Sequence, residues 1–223
     1  MLENRTRIID LITGQGFTME GYPVRSMFSV RFMGLNEEGL PTFLNEKKEQ
    51  VVSAINFQAN MDTLPEDVLA YSGSSDPTDL GSFGNTFQYK GFRLNVFMTY
   101  SFGNAIRLAP VFRSGYSDLS SMPNEFKNRW MVPGDEAHTN VPVIASTTQT
   151  YKDSQLHYAY NAYNYSTERI AKGDFIRLKE VSLSYDLPQR WVGVLKMRTL
   201  SLKLQATNLF LLYADKKLNG QDP

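Results

Sequence analysis

Apolar and polar residues alternate most regularly from Phe92 to Phe102. Phe92, Leu94, Val96, Met98, Tyr100 and Phe102 take one face; Arg93, Asn95, Phe97, Thr99 and Ser101 take the other. A period of two sustained over this stretch is that of a β-strand and not of a helix. Roughly 9–11 residues is also the length of a tilted strand that crosses a bilayer. Gly103-Asn104 follows at once and predicts a tight hairpin. The partner strand would then be 105–113, with Ile106, Leu108, Pro110 and Phe112 on one face and Ala105, Arg107, Ala109, Val111 and Arg113 on the other. Pro110 is a blemish there, because it cannot donate to a ladder.

Two later segments repeat the pattern. In 198–210, Leu200, Leu202, Leu204 and Ala206 alternate with Thr199, Ser201, Lys203, Gln205 and Thr207. In 174–187, Val181, Leu183, Tyr185 and Leu187 form one series, while Ile176 and Leu178 fall in the opposite phase beside Arg177 and Lys179. A β-bulge near that strand end accounts for the phase change. The predicted strands are therefore 91–102, 105–113, 174–187 and 198–210.

The remaining chain is loop-like. Residues 10–82 carry many Gly, Pro, Asn, Ser and acidic positions, with a short hairpin from Met27–Gly34 to Leu40–Leu44. Gln50–Ala59 is compatible with a strand or a helix. Residues 114–173 are polar and rich in tyrosine. Loops of this length are unusual in compact soluble domains. They are ordinary on the extracellular side of transmembrane barrels, whose opposite turns stay short. Aromatic residues also cluster at predicted strand ends: Phe87, Tyr89 and Phe92 at one, Tyr100, Phe102, Tyr185 and Trp191 at the other. An interfacial aromatic girdle requires that placement. The fold class is thus all-β, with antiparallel strands forming part of an open transmembrane β-barrel wall, and 10–82 and 114–173 as long extracellular loops. A soluble, secreted β-sandwich that binds glycans also alternates and is the rival reading.

Composition narrows the field further. The 23 basic and 23 acidic side chains balance, which argues against nucleic-acid binding. With no cysteine, disulfides, zinc-thiolate sites and thiol nucleophiles are excluded. Met1 to Asp10 has no apolar core, so no signal peptide is expected within this chain, and no apolar run is long enough for a transmembrane helix. The 14 Phe and 12 Tyr, with 15 Gly and 10 Pro, favour strands, turns and loops.

Enzymatic chemistry is not indicated, and no cofactor or metal is expected. His138 and His157 lie in a loop region without a partner at metal-ligand spacing. Asp135-Glu136 follows Pro133-Gly134 and suits a turn better than an acid and base pair on opposite sides of a substrate. The glycines at Gly14-Gln15-Gly16 and Gly81 to Gly84 make no phosphate loop, and no nucleophile elbow occurs. The segment Tyr151 to Tyr165 is the best candidate for binding. Its Tyr151, Tyr158, Tyr160, Tyr163 and Tyr165, with His157, Asn161 and Asn164 among them, suit sugar rings or a protein partner. Packing of the loop is the simpler role for these tyrosines, and Trp130 faces the same choice. Arg93, Arg107, Arg113 and Lys203 are candidates for lining a solute path or pairing with a plug.

The segment Gly173–Pro188, GDFIRLKEVSLSYDLP, resembles the C-terminal signature of the SusC/RagA family of TonB-dependent outer-membrane transporters. The likeness continues through Leu200–Phe210, LSLKLQATNLF, into Gly220-Gln221-Asp222-Pro223. Glu20–Gly34, Tyr89–Gly103 and Arg129–Pro142 also resemble that family, in the same order.

The resemblance implies that Tyr185–Pro188 lies at a periplasmic strand end and Asn208–Pro223 at an extracellular one. Strands 91–102 and 174–187 would run toward the periplasm; 105–113 and 198–210 would run back. It implies uptake of oligosaccharide or peptide across the outer membrane of a Gram-negative, Bacteroidetes-type bacterium, without covalent chemistry. The implied partners are a SusD-like surface lipoprotein, the TonB-ExbB-ExbD system and outer-membrane lipid, with no nucleic acid. Solute or partner contacts would fall to Trp130, Tyr151, Tyr158, Tyr160, Tyr163, Arg93 and Arg107. Plug, TonB box and closing strand have no counterpart in the sequence, so a C-terminal barrel fragment is expected. Such a fragment would aggregate or need detergent when expressed alone.

Overall fold

A computed structural model describes residues 8–13, 20–45, 47–53, 69–112, 121–194 and 196–223. Arg113, the Gly14-Gln15-Gly16 turn and residues 54–59 lie outside the described residues. The chain divides into two compact units. The first comprises residues 1–76 and 105–171, the second 77–104 and 172–223.

The second unit is a four-stranded antiparallel sheet. Its strands are β6 (Asp79–Tyr89), β7 (Phe92–Phe102), β10 (Phe175–Asp186) and β11 (Ser201–Ala214), in the order β11-β10-β7-β6. The register brings like residues into rows. Phe87, Leu94, Leu183 and Leu204 lie side by side, as do Val96, Val181 and Ala206. Thr86, Asn95, Ser182 and Gln205 form a row on the opposite face. There Thr86 Oγ1 donates to Asn95 Oδ1 at 2.7 Å, and Asn95 Nδ2 donates to Ser182 Oγ at 3.0 Å.

The phase change in β10 is a bulge at Lys179. Leu178 stands opposite Met98 while Glu180 stands opposite Phe97, so one residue of β10 is extra. Ile176 and Leu178 thereby share the face of Val181 and Leu183. Lys179 Nζ reaches across to Asn208 Oδ1 at 2.7 Å, and Asn208 takes the left-handed conformation that the irregular register of β11 requires.

Two expectations are corrected. First, β7 does not pair across Gly103-Asn104 with a strand 105–113. It pairs with β6 through Lys90-Gly91, where Tyr89 faces Phe92 and both turn residues have positive φ, 45° and 86°. Two such residues make the type I′ connection that matches strand twist. Lysine is an uncommon first residue for it, which hides the turn in the sequence. Second, among the described residues of the expected strand only Ala105–Arg107 forms one (β8), and it pairs with β9 (Ile170–Lys172). Pro110 cannot donate, and the backbone at Val111 and Phe112 is bound instead by the Asn164 side chain, at 3.0 Å and 3.2 Å to their N–H groups.

The stretches 10–82 and 114–173 are likewise not featureless. The first unit holds α1 (Ile8–Thr13), β1 (Ser26–Val30), β2 (Phe32–Leu35), β3 (Pro41–Leu44), β4 (Gln50–Val51) and β5 (Leu69–Ser74). It adds β8, α2 (Thr147–Lys152) and α3 (Leu156–Asn164). β1 pairs with β5, and β2, β3 and β4 form a second antiparallel sheet. Phe28, Phe43, Leu69, Leu156 and Tyr163 close a core in which each is at most 1% exposed. Among the described residues no helix is long and apolar enough to cross a membrane.

Candidate functional site

α3 supplies the framework of a candidate site. Leu156, Ala159, Tyr160 and Tyr163 recur at helical spacing and face the core, while His157, Tyr158 and Asn161 face outward. α2 precedes it, opened by a capping box in which Ser146 accepts from the Gln149 N–H and the Gln149 side chain accepts from the Ser146 N–H. Between these helices and the non-strand segment at Phe112 lies a pocket of about 450 Å³. Phe112, Ile144 and Leu156 give it apolar walls, and Thr150, His157 and Asn161 give it polar groups. Tyr158 lines the mouth, with its ring 3.9 Å from that of His157.

Asn164 fixes the pocket floor. Its amide accepts from the N–H groups of Val111 and Phe112 and donates to Phe112 O at 2.8 Å. One side chain thus does the work of a paired strand. Phe112 is held so that its ring packs against Tyr160 at 4.6 Å and Tyr163 at 5.6 Å. Arg169 secures the same segment from below. It donates to Ala109 O at 2.7 Å and forms an ion pair with Glu125.

The expected contact residues separate into two groups. Tyr151 is 92% exposed and Tyr158 is 45% exposed, so both are accessible. Tyr163 is a core residue, which corrects its reading as a contact, whereas Tyr160, though largely buried, lines the pocket. Tyr160 Oη donates to Val143 O at 2.7 Å, and burial pushes the Tyr163 phenol above its ordinary pKa. Trp130 is buried as well. Its ring lies where a Cβ on Gly39 would stand, and its Nε1 donates to Glu136 Oε2 at 2.8 Å. That bond, together with the Gly134 N–H, holds the Glu136 carboxyl below its usual range. Asp135 Oδ2 accepts from the N–H groups of Met131 and Val132, so both carboxylates serve the turn.

Arg107 is also structural. It donates to Phe28 O at 2.8 Å and lies over the Tyr165 ring, and burial pushes its pKa down to about 10. Its charge therefore persists at neutral pH but is spent inside the first unit. Arg93 is different. It is exposed on the polar face of the sheet in a row with Gln88, Ser184 and Lys203. Sequence reasoning missed the pocket walls Phe112, Ile144 and Leu156. The helical recurrence of Leu156, Ala159, Tyr160 and Tyr163 was the signal that could have found one of them.

No family model matches the chain. Two curated relatives do: TonB-dependent receptor P39 and TonB-dependent receptor P3 of Formosa agariphila. The first is 25% identical over 157 residues, covering 70% of this chain and 14% of the relative; the second is 25% identical over 151 residues, covering 68% and 13%. The chain thus spans a small part of the length of these relatives. Among solved structures, the RagAB peptide importer in its open-open state matches 93% of this chain and 22% of its own, with a TM-score of 0.57 and 19% identity. The RagAB peptide transporter matches 94% and 22%, with a TM-score of 0.55 and 16% identity. The fold is thus shared with the RagAB structures over nearly the whole chain, and the sequence likeness is to TonB-dependent receptors. Both agree with the five family-like segments between Glu20 and Pro223: the chain is similar in sequence to TonB-dependent receptors and shares its fold with the SusC/RagA-type RagAB structures.

Proposed function

We propose that this chain is part of an outer-membrane importer, with the sheet β6-β7-β10-β11 in the bilayer and 10–78 and 114–173 on the extracellular side. One observation carries the reading. The apolar face of the sheet is open, with Leu202 62% and Leu204 75% exposed and Phe83 and Phe87 each 56% exposed. In water, such a face is a liability. In lipid, it is the required outer surface of a barrel, and the polar face with its Thr86-Asn95-Ser182 ladder is the lumen lining. A β-sandwich that binds glycans would need a second sheet over Leu202 and Leu204, and their exposure speaks against it.

On this reading the intact protein takes up oligosaccharide or peptide, drawing energy through TonB-ExbB-ExbD and working beneath a SusD-like surface lipoprotein. The relatives' names support import by a TonB-dependent receptor. The predominantly apolar pocket beside α3, lined by Tyr158 and Tyr160, is the place where a solute or the lipoprotein would be met, with the exposed Tyr151 on the preceding helix. Arg93 and Lys203 would face the solute path.

Spin labels at Val96 and Leu202 of the intact receptor in liposomes test the membrane reading. Accessibility to oxygen with protection from a water-soluble nickel chelate is the expected result. Nickel access at both positions would refute it.

A further inference from the structure

We infer that the turn joining β10 to β11 is a docking surface for anionic phospholipid headgroups. This rests on the membrane reading above. The turn, residues 187–200, contains Arg190, Lys196 and Arg198 and no acidic residue. The preceding Asp186 accepts from Ser201 Oγ at 2.6 Å. All three cations are exposed, and Arg190 lies over the Trp191 ring at 6.0 Å.

The apolar residues of the turn point the same way. Among the described apolar residues of the turn only Val192 is buried, at 1%; Trp191 is 59%, Val194 83% and Met197 50% exposed. The turn is nevertheless well fixed. Val192 and Gly193 donate to Pro188 O and Gln189 O, Met197 donates to Val192 O, and Leu187 donates to Leu200 O at 3.0 Å. A rigid turn that offers an indole and two aliphatic chains beside three cations does not suit water. It suits the boundary of a bilayer, where an indole sits at headgroup depth and cations find phosphate. The turn also sits at the sheet end where Tyr89, Phe92 and Tyr185 lie in one row, the aromatic band expected at that depth. Net charge of +3 against the zero balance of the whole chain makes an anionic headgroup the complementary partner.

The test uses the intact receptor in nanodiscs of phosphatidylcholine or of phosphatidylcholine with phosphatidylglycerol. A Val194→Cys label should show a blue-shifted emission and be quenched by headgroup-proximal nitroxide lipid. Bound phosphatidylglycerol, counted by native mass spectrometry, should fall by about tenfold in the Arg190→Gln/Lys196→Gln/Arg198→Gln variant at low salt, from the attraction of each cation to an anionic surface. The same label at Val96 separates the two readings. Quenching by bilayer-centre nitroxide at Val96 with none at Val194 overturns the docking surface alone. Absence at both sites overturns the membrane reading. Interfacial quenching at Val194 with unchanged phosphatidylglycerol retention in the triple variant overturns the headgroup assignment, as would protection of the turn by a periplasmic protein in place of lipid.

Discussion

The two units of this chain treat apolar side chains in opposite ways. The first buries Phe28 and Phe43 completely and leaves Tyr163 at 1% exposure, and it spends its polar groups on that core. Asn164, Arg107 and Arg169 all bind backbone carbonyls or N–H groups inside it. The sheet does the reverse. Its apolar side chains remain open, and its hydrogen-bonded polar ladder lies on the other face. The hydrophobic effect drives the first arrangement in water. It does not penalise the second in lipid, provided that every backbone group is paired along the strands. On the membrane reading proposed above, one chain carries sequence written for two solvents.

That contrast can be broken most severely at Val96. Val96→Arg on the apolar face of β7 should cost up to about 4 kcal/mol in a membrane, whereas Gln205→Arg on the polar face should cost little. Heat-modifiable migration of the intact receptor in detergent gels measures the folded fraction of each. Equal tolerance would mean that the two faces meet the same solvent.

In the first unit the largest expected loss comes from Arg169→Ala. It strands the Glu125 carboxylate and removes one donor to Ala109 O, and should cost about 3 kcal/mol, since breaking a buried pair leaves an uncompensated charge. Asn164→Ala should follow at about 2 kcal/mol, because two buried N–H groups lose their acceptor. Denaturant midpoints or local hydrogen exchange at Val111 and Phe112 report both. Tyr151→Ala and Tyr158→Ala should change stability by less than about 0.5 kcal/mol, because both rings are exposed. An uptake defect in these variants with unchanged folding would assign them to solute or lipoprotein contact.

The smallest effect is in pH. The Glu136 carboxyl is held low by Trp130 and by backbone N–H groups, so its contribution is present above the ordinary carboxylate pKa of 4.5 and is lost as pH falls below it. Trp130 fluorescence should change in that acidic range and should not change in Glu136→Gln.

Legibility in the sequence followed the range of the interaction. The alternation at Phe92–Phe102 and the phase slip before Val181 are local, and they appear as β7 and as the Lys179 bulge. The partner of β7 was not local to read. Gly103-Asn104 is the stronger turn dipeptide, yet Lys90-Gly91 makes the hairpin, because Phe83 and Phe87 of β6 place their apolar series beside Met98 and Leu94. The aromatic residues near α3 were visible as a group. Their division into core and surface depended on a helix whose inner face is set by neighbours as distant as Phe32 and Phe112.

The sequence by itself determined the strand period, the two contrasting faces of the sheet and the absence of thiol chemistry, because each follows from residue type and spacing. Tertiary structure alone decided which strands pair and that 105–113 stops at Arg107 as a strand. It also decided that Trp130 and Tyr163 are spent on packing, that Tyr160 packs while also lining the pocket, and that Tyr151 and Tyr158 stay exposed. Those outcomes depend on side chains from remote segments competing for the same backbone and the same apolar space, and no local pattern encodes which competitor wins.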